Sequence, residues 1–363
     1  MPVAGIRRQP IHGEWMAAPL KDAEWLSWLA RLTESSAAQE SSSRKAPEGY
    51  CCLLDEQPTH LVPERLLRQL PGNQFEGELC LNPRCYLADS KTRPEDLRAA
   101  ELALSDAGEV GATTAWIEDA ATEAWTPFWL SPALYGVVRE IQDRPARIQE
   151  LSLRTRKMLC QAGILLQTSG SDARCRAWAK IAEAIRSKFS ESGYAPISGL
   201  LHPFHVGALR KYFRRKVRKG AVLLGDDQSA RRYIAHNDPA ARFFHLQLTK
   251  AVSDLAGEPV KPSYVYVASY QSGARLAKHT DRAQCEISIT LCLDYSPEPA
   301  GATPWPLHLD TPKGTVTVYQ APGDGLLYRG RELPHYRGTL REGNTSTSIF
   351  FHHVAVDFDG PLE

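Results

Sequence analysis

The stretch Tyr264-Val265-Tyr266-Val267-Ala268-Ser269-Tyr270-Gln271-Ser272-Gly273-Ala274-Arg275-Leu276-Ala277-Lys278-His279-Thr280-Asp281-Arg282 decides the reading of this chain. Its first seven residues are β-branched and aromatic and predict a strand. A Gly-containing turn follows, and the segment closes on a His-x-Asp. In extended backbone, residues two apart point to the same face, so His279 and Asp281 can aim at one point if the chain is strand-like there. Both groups coordinate a metal in their deprotonated forms.

Working outward, the texture stays β-rich to the C-terminus. Glu286 to Tyr295 (EISITLCLDY) alternates with period two, and Thr315 to Gln320, Gly325 to Arg329 and Ser346 to Val354 continue the series between Gly and Pro turns. Short strands at close spacing, without intervening helices, predict an antiparallel barrel or jelly roll. A second candidate ligand, His335, ends the run Gly323-Asp324-Gly325-Leu326-Leu327-Tyr328-Arg329-Gly330-Arg331-Glu332-Leu333-Pro334-His335. It must reach the first pair from a different strand, which a rolled sheet allows. Two histidines and one carboxylate can hold one face of a ferrous ion and leave the other open. His308-Leu309-Asp310 is a second His-x-Asp, but it sits between Pro306 and Pro312 without the upstream Tyr and Gly, and reads as a decoy. His202, His205, His236 and His245 lack ligand spacing. His352 and His353 read as core-edge residues, at most one of them pointing inward.

Ahead of this region the helix 172–189 is the clearest. Trp178, Ile181, Ile185 and Phe189 form its stripe, Ser171 or Asp172 its cap and Gly193 its stop. Residues 199–219 restart as a helix in which Leu209, Tyr212, Phe213 and Val217 interleave with the basic run Arg210 to Lys219, read as a solvated face. Further helices are expected at 20–32, 61–70, 94–104 and 145–160, with Trp116, Trp125, Phe128 and Trp129 as core. The Ser-rich stretch 34–49 reads as a flexible linker or exposed loop. The expected organisation is a helix and linker over 1–49, an accessory region of unassigned role over 50–170, and a metal-binding domain over 171–363.

Composition excludes more than it identifies. The chain has 363 residues, with 43 basic against 42 acidic, so no global field points to nucleic acid. No apolar stretch spans a bilayer, and Met1 to Trp15 lacks a signal core, so a cytoplasmic location is expected. None of the eight cysteines forms a Cys-x-x-Cys pair.

The pattern Tyr270-x-x-Gly273-x-x-Leu276-x-x-His279-x-Asp281, followed by the Gly-rich turn and strand before His335, resembles the iron(II)- and 2-oxoglutarate-dependent dioxygenases, particularly the prolyl-hydroxylase-like and phytanoyl-CoA-hydroxylase-like branches. The resemblance covers about residues 171–363. It implies an α+β chain with a double-stranded β-helix (jelly-roll) core and flanking helices. It implies Fe(II) held by His279, Asp281 and His335, with 2-oxoglutarate as co-substrate and O2 as oxidant. Decarboxylation to succinate and CO2 would then be coupled to hydroxylation, or a related oxidation, of an unactivated C–H bond in a peptide side chain, amino acid or natural-product intermediate.

The sequence departs from the family where a cation usually receives the far carboxylate of 2-oxoglutarate. Thr345 stands there, and Thr347 keeps the hydroxyl two residues on. Arg337, on the strand face of His335, is the favoured substitute, and Tyr270 is a further candidate co-substrate contact. Arg282 and Arg331 are candidate substrate contacts. Two other readings stay open: a jelly roll that has lost catalysis and only binds, and a cupin-like metal enzyme that does not use 2-oxoglutarate.

Overall fold

The computed structural model describes residues 78–88, 114–130, 132–168, 170–201 and 203–363. The helices expected at 20–32, 61–70 and 94–104 and the polar stretch 34–49 lie outside them. The chain divides into two compact units that part between Ala179 and Lys180.

The first unit holds β1 (Leu79–Leu81), β2 (Cys85–Ala88), β3 (Thr114–Glu118), β4 (Trp125–Trp129), α1 (Pro132–Asp143), α2 (Arg147–Glu150), α3 (Leu153–Gln161) and β5 (Leu165–Gln167). β2, β3 and β4 form an antiparallel sheet, and β1 pairs with β5. Trp116, Trp125 and Phe128 are buried, as expected of them. The helix expected over 145–160 is instead two. Ser152 breaks it by adopting extended backbone, and its hydroxyl accepts the Thr155 N–H at 3.0 Å, capping α3.

α4 (Gly170–Ser192) runs across the division. Only Phe189 of its expected stripe is fully buried, and Ile181 is 37% exposed. The inward face carries Ala182 and the stem of Arg186, whose guanidinium donates to the Asp254 carbonyl. Gly193 ends the helix with φ 74°, a conformation that favours glycine.

β6 (Tyr194–Ile197), α5 (Pro203–Arg218), β7 (Leu223–Leu224), β8 (Arg232–His236) and α6 (Pro239–Ala256) follow. α5 buries Leu209, Tyr212 and Phe213. Its basic run is not simply a solvated face. Arg210 and Arg214 both reach Asp294, Arg210 also meets Glu298, and Lys216 meets Asp238. Asp238 in turn caps α6 through the N–H groups of Ala240 and Ala241.

The C-terminal strands are β9 (Val260–Tyr270), β10 (Leu276–His279), β11 (Ile287–Ser296), β12 (Leu307–Thr311), β13 (Gly314–Val318), β14 (Gly325–Tyr328), β15 (His335–Arg337) and β16 (Thr345–Ala355). They form two antiparallel sheets, ordered β6-β14-β11-β16-β9-β8-β7 and β10-β15-β12-β13. From β9 onward the chain passes repeatedly from one sheet to the other, so strands distant in sequence become neighbours. β11 reads as an alternating strand, yet every residue from Ile287 to Tyr295 is buried. It lies between β14 and β16 and is covered on both faces, which removes the solvent face that alternation implies. For the same reason both His352 and His353 on β16 are buried, where at most one was expected inward. Among the described residues no helix is long and apolar enough to cross a membrane.

Candidate metal centre

β10 and β15 pair so that His279 lies opposite His335, with a register shift between Leu276 and His279. Asp281 lies beyond the end of β10. Its N–H donates to the Gly330 carbonyl at 2.9 Å, which returns the carboxylate to the two imidazoles. Asp281 Oδ1 is 3.6 Å from His279 Nε2 and 3.5 Å from His335 Nε2. One donor atom from each residue lies within 4.8 Å of the others. A single ion at about 2.1 Å from each, the usual bond of imidazole or carboxylate to a first-row metal, fits between them.

The imidazoles are oriented for coordination. His279 Nδ1 faces the Ala277 carbonyl at 2.9 Å, and His335 Nδ1 faces the Leu333 carbonyl at 3.0 Å. A carbonyl can only accept, so each Nδ1 carries the proton and each Nε2 turns a lone pair toward Asp281. Burial alone pushes the Asp281 carboxyl up, but the two imidazoles outweigh it and hold it well below the usual carboxylate range. Burial alone lowers His279, and the nearby Asp281 carboxylate and the Ala277 carbonyl outweigh it and hold it above the ordinary value. The three donors thus form a negatively charged half-shell, and the chemistry of the set fits a divalent ion.

Several supporting residues were not legible in the sequence. Tyr328 donates to Asp281 Oδ2 at 3.4 Å, and Ser288 Oγ lies between Asp281 Oδ2 and His352 Nδ1. Gly330 is confined, because a Cβ there would meet the Cys285 carbonyl at 2.7 Å and crowd Asp281 as well. Asp281, Cys285 and His352 form a second cluster of metal-binding residue types. Burial pushes the Cys285 thiol up to about 12, and His352 Nδ1 is engaged by Ser288, so this set offers a poorer donor array.

The triad opens into a cavity of roughly 170 Å³. Tyr264, Tyr266, Phe350 and His352 line its aromatic wall, and Arg232 and Tyr270 another part. Of the expected substrate contacts, Arg282 lines the cavity, while Arg331 is exposed and paired with Glu286 at 2.9 Å. Tyr270 is fully buried and accepts a hydrogen bond from Arg232. Arg337 is buried, stacks over Trp305 and donates to its carbonyl. It forms no ion pair with a carboxylate among the described residues. Thr345 begins β16, and Thr347 shares a hydrogen bond with Ser269 at 2.5 Å. Arg337, Thr345 and Thr347 stand outside the cavity lining. His308 and Asp310 project from the face of β12 opposite buried Leu307 and Leu309, with Asp310 held by Lys278 and Thr315.

No protein-family model and no curated protein matches the sequence. Over about half its length the chain is similar to solved oxygenase structures. One is the non-heme alpha-ketoglutarate-dependent epimerase SnoN from nogalamycin biosynthesis, with TM-score 0.42, 14% identity, and coverage of 48% of this chain and 83% of that one. Another is a Pseudomonas putida prolyl-4-hydroxylase, with TM-score 0.39, 18% identity, and coverage of 47% and 98%. A third is HygX from Streptomyces hygroscopicus with nickel, 2-oxoglutarate and hygromycin B bound, with TM-score 0.38, 16% identity, and coverage of 47% and 86%.

Proposed function

We propose that the chain is an iron(II)- and 2-oxoglutarate-dependent oxygenase whose catalytic domain occupies about residues 171–363. The observation that carries the reading is the meeting of His279, Asp281 and His335 at the head of a cavity, with both Nε2 atoms and one carboxylate oxygen turned to a common point. The alternation of β9 to β16 between two antiparallel sheets supports a double-stranded β-helix, which brings residues from β10 and β15 together.

Bound iron would supply oxygen activation coupled to decarboxylation of 2-oxoglutarate. The chain's own residues do the rest. His279, Asp281 and His335 would hold the ion at the head of the cavity. Leu333 and Ala277 fix the imidazole tautomers, and Tyr328 steadies the carboxylate. Tyr264, Tyr266 and Phe350 exclude water from the space beside the metal. Arg337 is the proposed partner of the far co-substrate carboxylate, since a buried guanidinium calls for a counter-charge and Tyr270 lies near it. The proposed substrate is a peptide side chain, amino acid or natural-product intermediate presented along the aromatic wall.

Anaerobic titration with Fe(II) and 2-oxoglutarate tests the reading. A weak visible charge-transfer band is expected, followed on admission of oxygen by release of succinate. Iron binding with no such band would exclude 2-oxoglutarate as the co-substrate. A band without succinate, with substrate candidates present, would favour a binding module.

A further inference from the structure

Arg232 is 4% exposed, yet it lines the same cavity as the metal triad. It enters from β8, where it pairs with Tyr270 of β9. Its Nη1 donates to the Tyr270 hydroxyl at 2.9 Å. The other edge of the guanidinium grips a carboxylate through two prongs. Nε lies 2.9 Å from Asp226 Oδ2, and Nη2 lies 2.5 Å from the same oxygen, with Gln228 Oε1 at 2.8 Å from Nη2. Tyr266 donates its hydroxyl to Asp226 Oδ2 at 2.6 Å. Two guanidinium nitrogens and a phenol therefore form a carboxylate receptor in the cavity wall.

The carboxylate in it belongs to the chain itself. Asp226 sits in the irregular connection between β7 and β8, where Asp227, Gln228, Ala230 and Arg231 are exposed. The segment is tied by local bonds, among them the Asp226 side chain to the N–H groups of Gln228 and Ser229 and the Gly225 N–H to the Arg232 carbonyl. No buried apolar side chain anchors it between Asp226 and Arg231. Arg232, by contrast, is enclosed and needs an anion at all times. Emptying the receptor is costly, whereas exchanging one carboxylate for another keeps Arg232 paired and releases Asp226 to solvent at the surface.

We propose that Arg232, Tyr266 and Tyr270 form a carboxylate-binding subsite of the cavity, filled by Asp226 at rest and taken over by a carboxylate of an incoming ligand. The inference rests on reading the cavity as an active site. The ligand carboxylate has two sources: the substrate, where Arg337 takes the far end of the 2-oxo acid, or that far end itself, in which case Arg232 replaces Arg337 as its partner.

Calorimetric titration of the full chain distinguishes them. Mn(II)-loaded protein is titrated with 2-oxoglutarate and with pyruvate, which shares the chelating end but lacks the second carboxylate. Glutarate is titrated into the Mn(II) and 2-oxoglutarate complex. If the subsite serves the co-substrate, Asp226→Asn tightens 2-oxoglutarate several-fold, Arg232→Gln weakens it at least tenfold, and neither moves pyruvate. Glutarate then fails to bind the complex. If the subsite serves the substrate, 2-oxoglutarate and pyruvate are unmoved, and glutarate binds the complex more tightly in Asp226→Asn and not in Arg232→Gln. The proposal is overturned if Asp226→Asn leaves all three titrations unchanged while lowering resistance to urea, since the ion pair would then only fasten the loop. Failure of the functional reading looks different: neither 2-oxo acid binds the Mn(II) protein, while glutarate added to the metal-loaded protein still reports on Arg232.

Discussion

His279 and His335 face each other as cross-strand partners of β10 and β15, with ring centroids 4.4 Å apart. Each spends its Nδ1–H on the carbonyl two residues before it, so both Nε2 lone pairs converge on Asp281. Removing either ring takes away a donor that no neighbour replaces in position. His335→Ala is expected to weaken Fe(II) or Mn(II) binding by more than the roughly 100-fold that loss of an outer hydrogen bond costs a metal site. Anaerobic calorimetry with the purified chain measures it. Binding within about threefold of wild type would remove His335 from the centre.

Gly330 sets the position of Asp281 from below. Its carbonyl accepts the Asp281 N–H, and a methyl group on its Cα would collide with the Cys285 backbone and the Ser288 hydroxyl as well as the carboxylate. Backbone cannot rotate aside, so the strain must pass to Asp281. Gly330→Ala is expected to cost about 1–3 kcal/mol of stability, the usual range for overpacking. It should also weaken metal binding by roughly 10–100-fold through the displaced ligand. Urea unfolding and metal titration on the same sample read the two effects. Full metal affinity in a destabilised protein would show that Gly330 matters to packing alone.

The strand texture of 264–270 and 346–354, and the three donors, were legible because they rest on local chemistry: β-branched residues, period two and a ligand-type triplet. What was not legible depends on distance in sequence. The register shift between Leu276 and His279 rotates β10, and nothing in Ala277-Lys278 announces it. Arg232 and Asp226 meet in the cavity because β8 joins the edge of β9, and the short segment Arg232–His236 carries too little pattern to announce a strand. Arg210 and Arg214 look like a solvated face until β11 brings Asp294 against α5. Gly330 looks like any turn glycine until Cys285 and Asp281 are placed around it. His352 is a cavity residue because α6 and the cavity cover opposite faces of the same strand.

His245 and His352 link acid stability to the core behind the candidate metal site. His245 donates from Nε2 to the His352 carbonyl at 2.8 Å. Burial lowers His245 to about 3 and His352 to about 4, from the ordinary 6.5. Below pH 6.5 the unfolded chain binds protons at these residues and the folded chain does not. Their contribution is therefore complete above pH 6.5 and drains away as pH falls toward the folded values. For His245 the loss between pH 7 and 4.5 is on the order of 3 kcal/mol. In His245→Gln, whose amide can still donate to the His352 carbonyl, the fall in unfolding free energy over that range should shrink by about this amount. Parallel pH curves for wild type and variant in urea unfolding would refute the linkage.

His308-Leu309-Asp310 repeats the ligand triplet in sequence but not in space. On β12 the buried positions are Leu307 and Leu309, so His308 and Asp310 lie on the other face. His308 stacks on Tyr336 with centroids 4.9 Å apart and meets Thr317 through Nδ1. Asp310 is neutralised by Lys278 at 2.6 Å and accepts from Thr315 at 2.7 Å, and that lysine leaves little attraction for a cation. His308→Ala should therefore keep one equivalent of Fe(II) or Mn(II) with affinity within about twofold of wild type. Its stability should change by no more than about 1 kcal/mol, the scale of one stacked aromatic pair. Metal analysis after gel filtration, run beside His279→Ala, separates the two His-x-Asp triplets. Loss of bound metal in the His308 variant and its retention in the His279 variant would transfer the centre to β12.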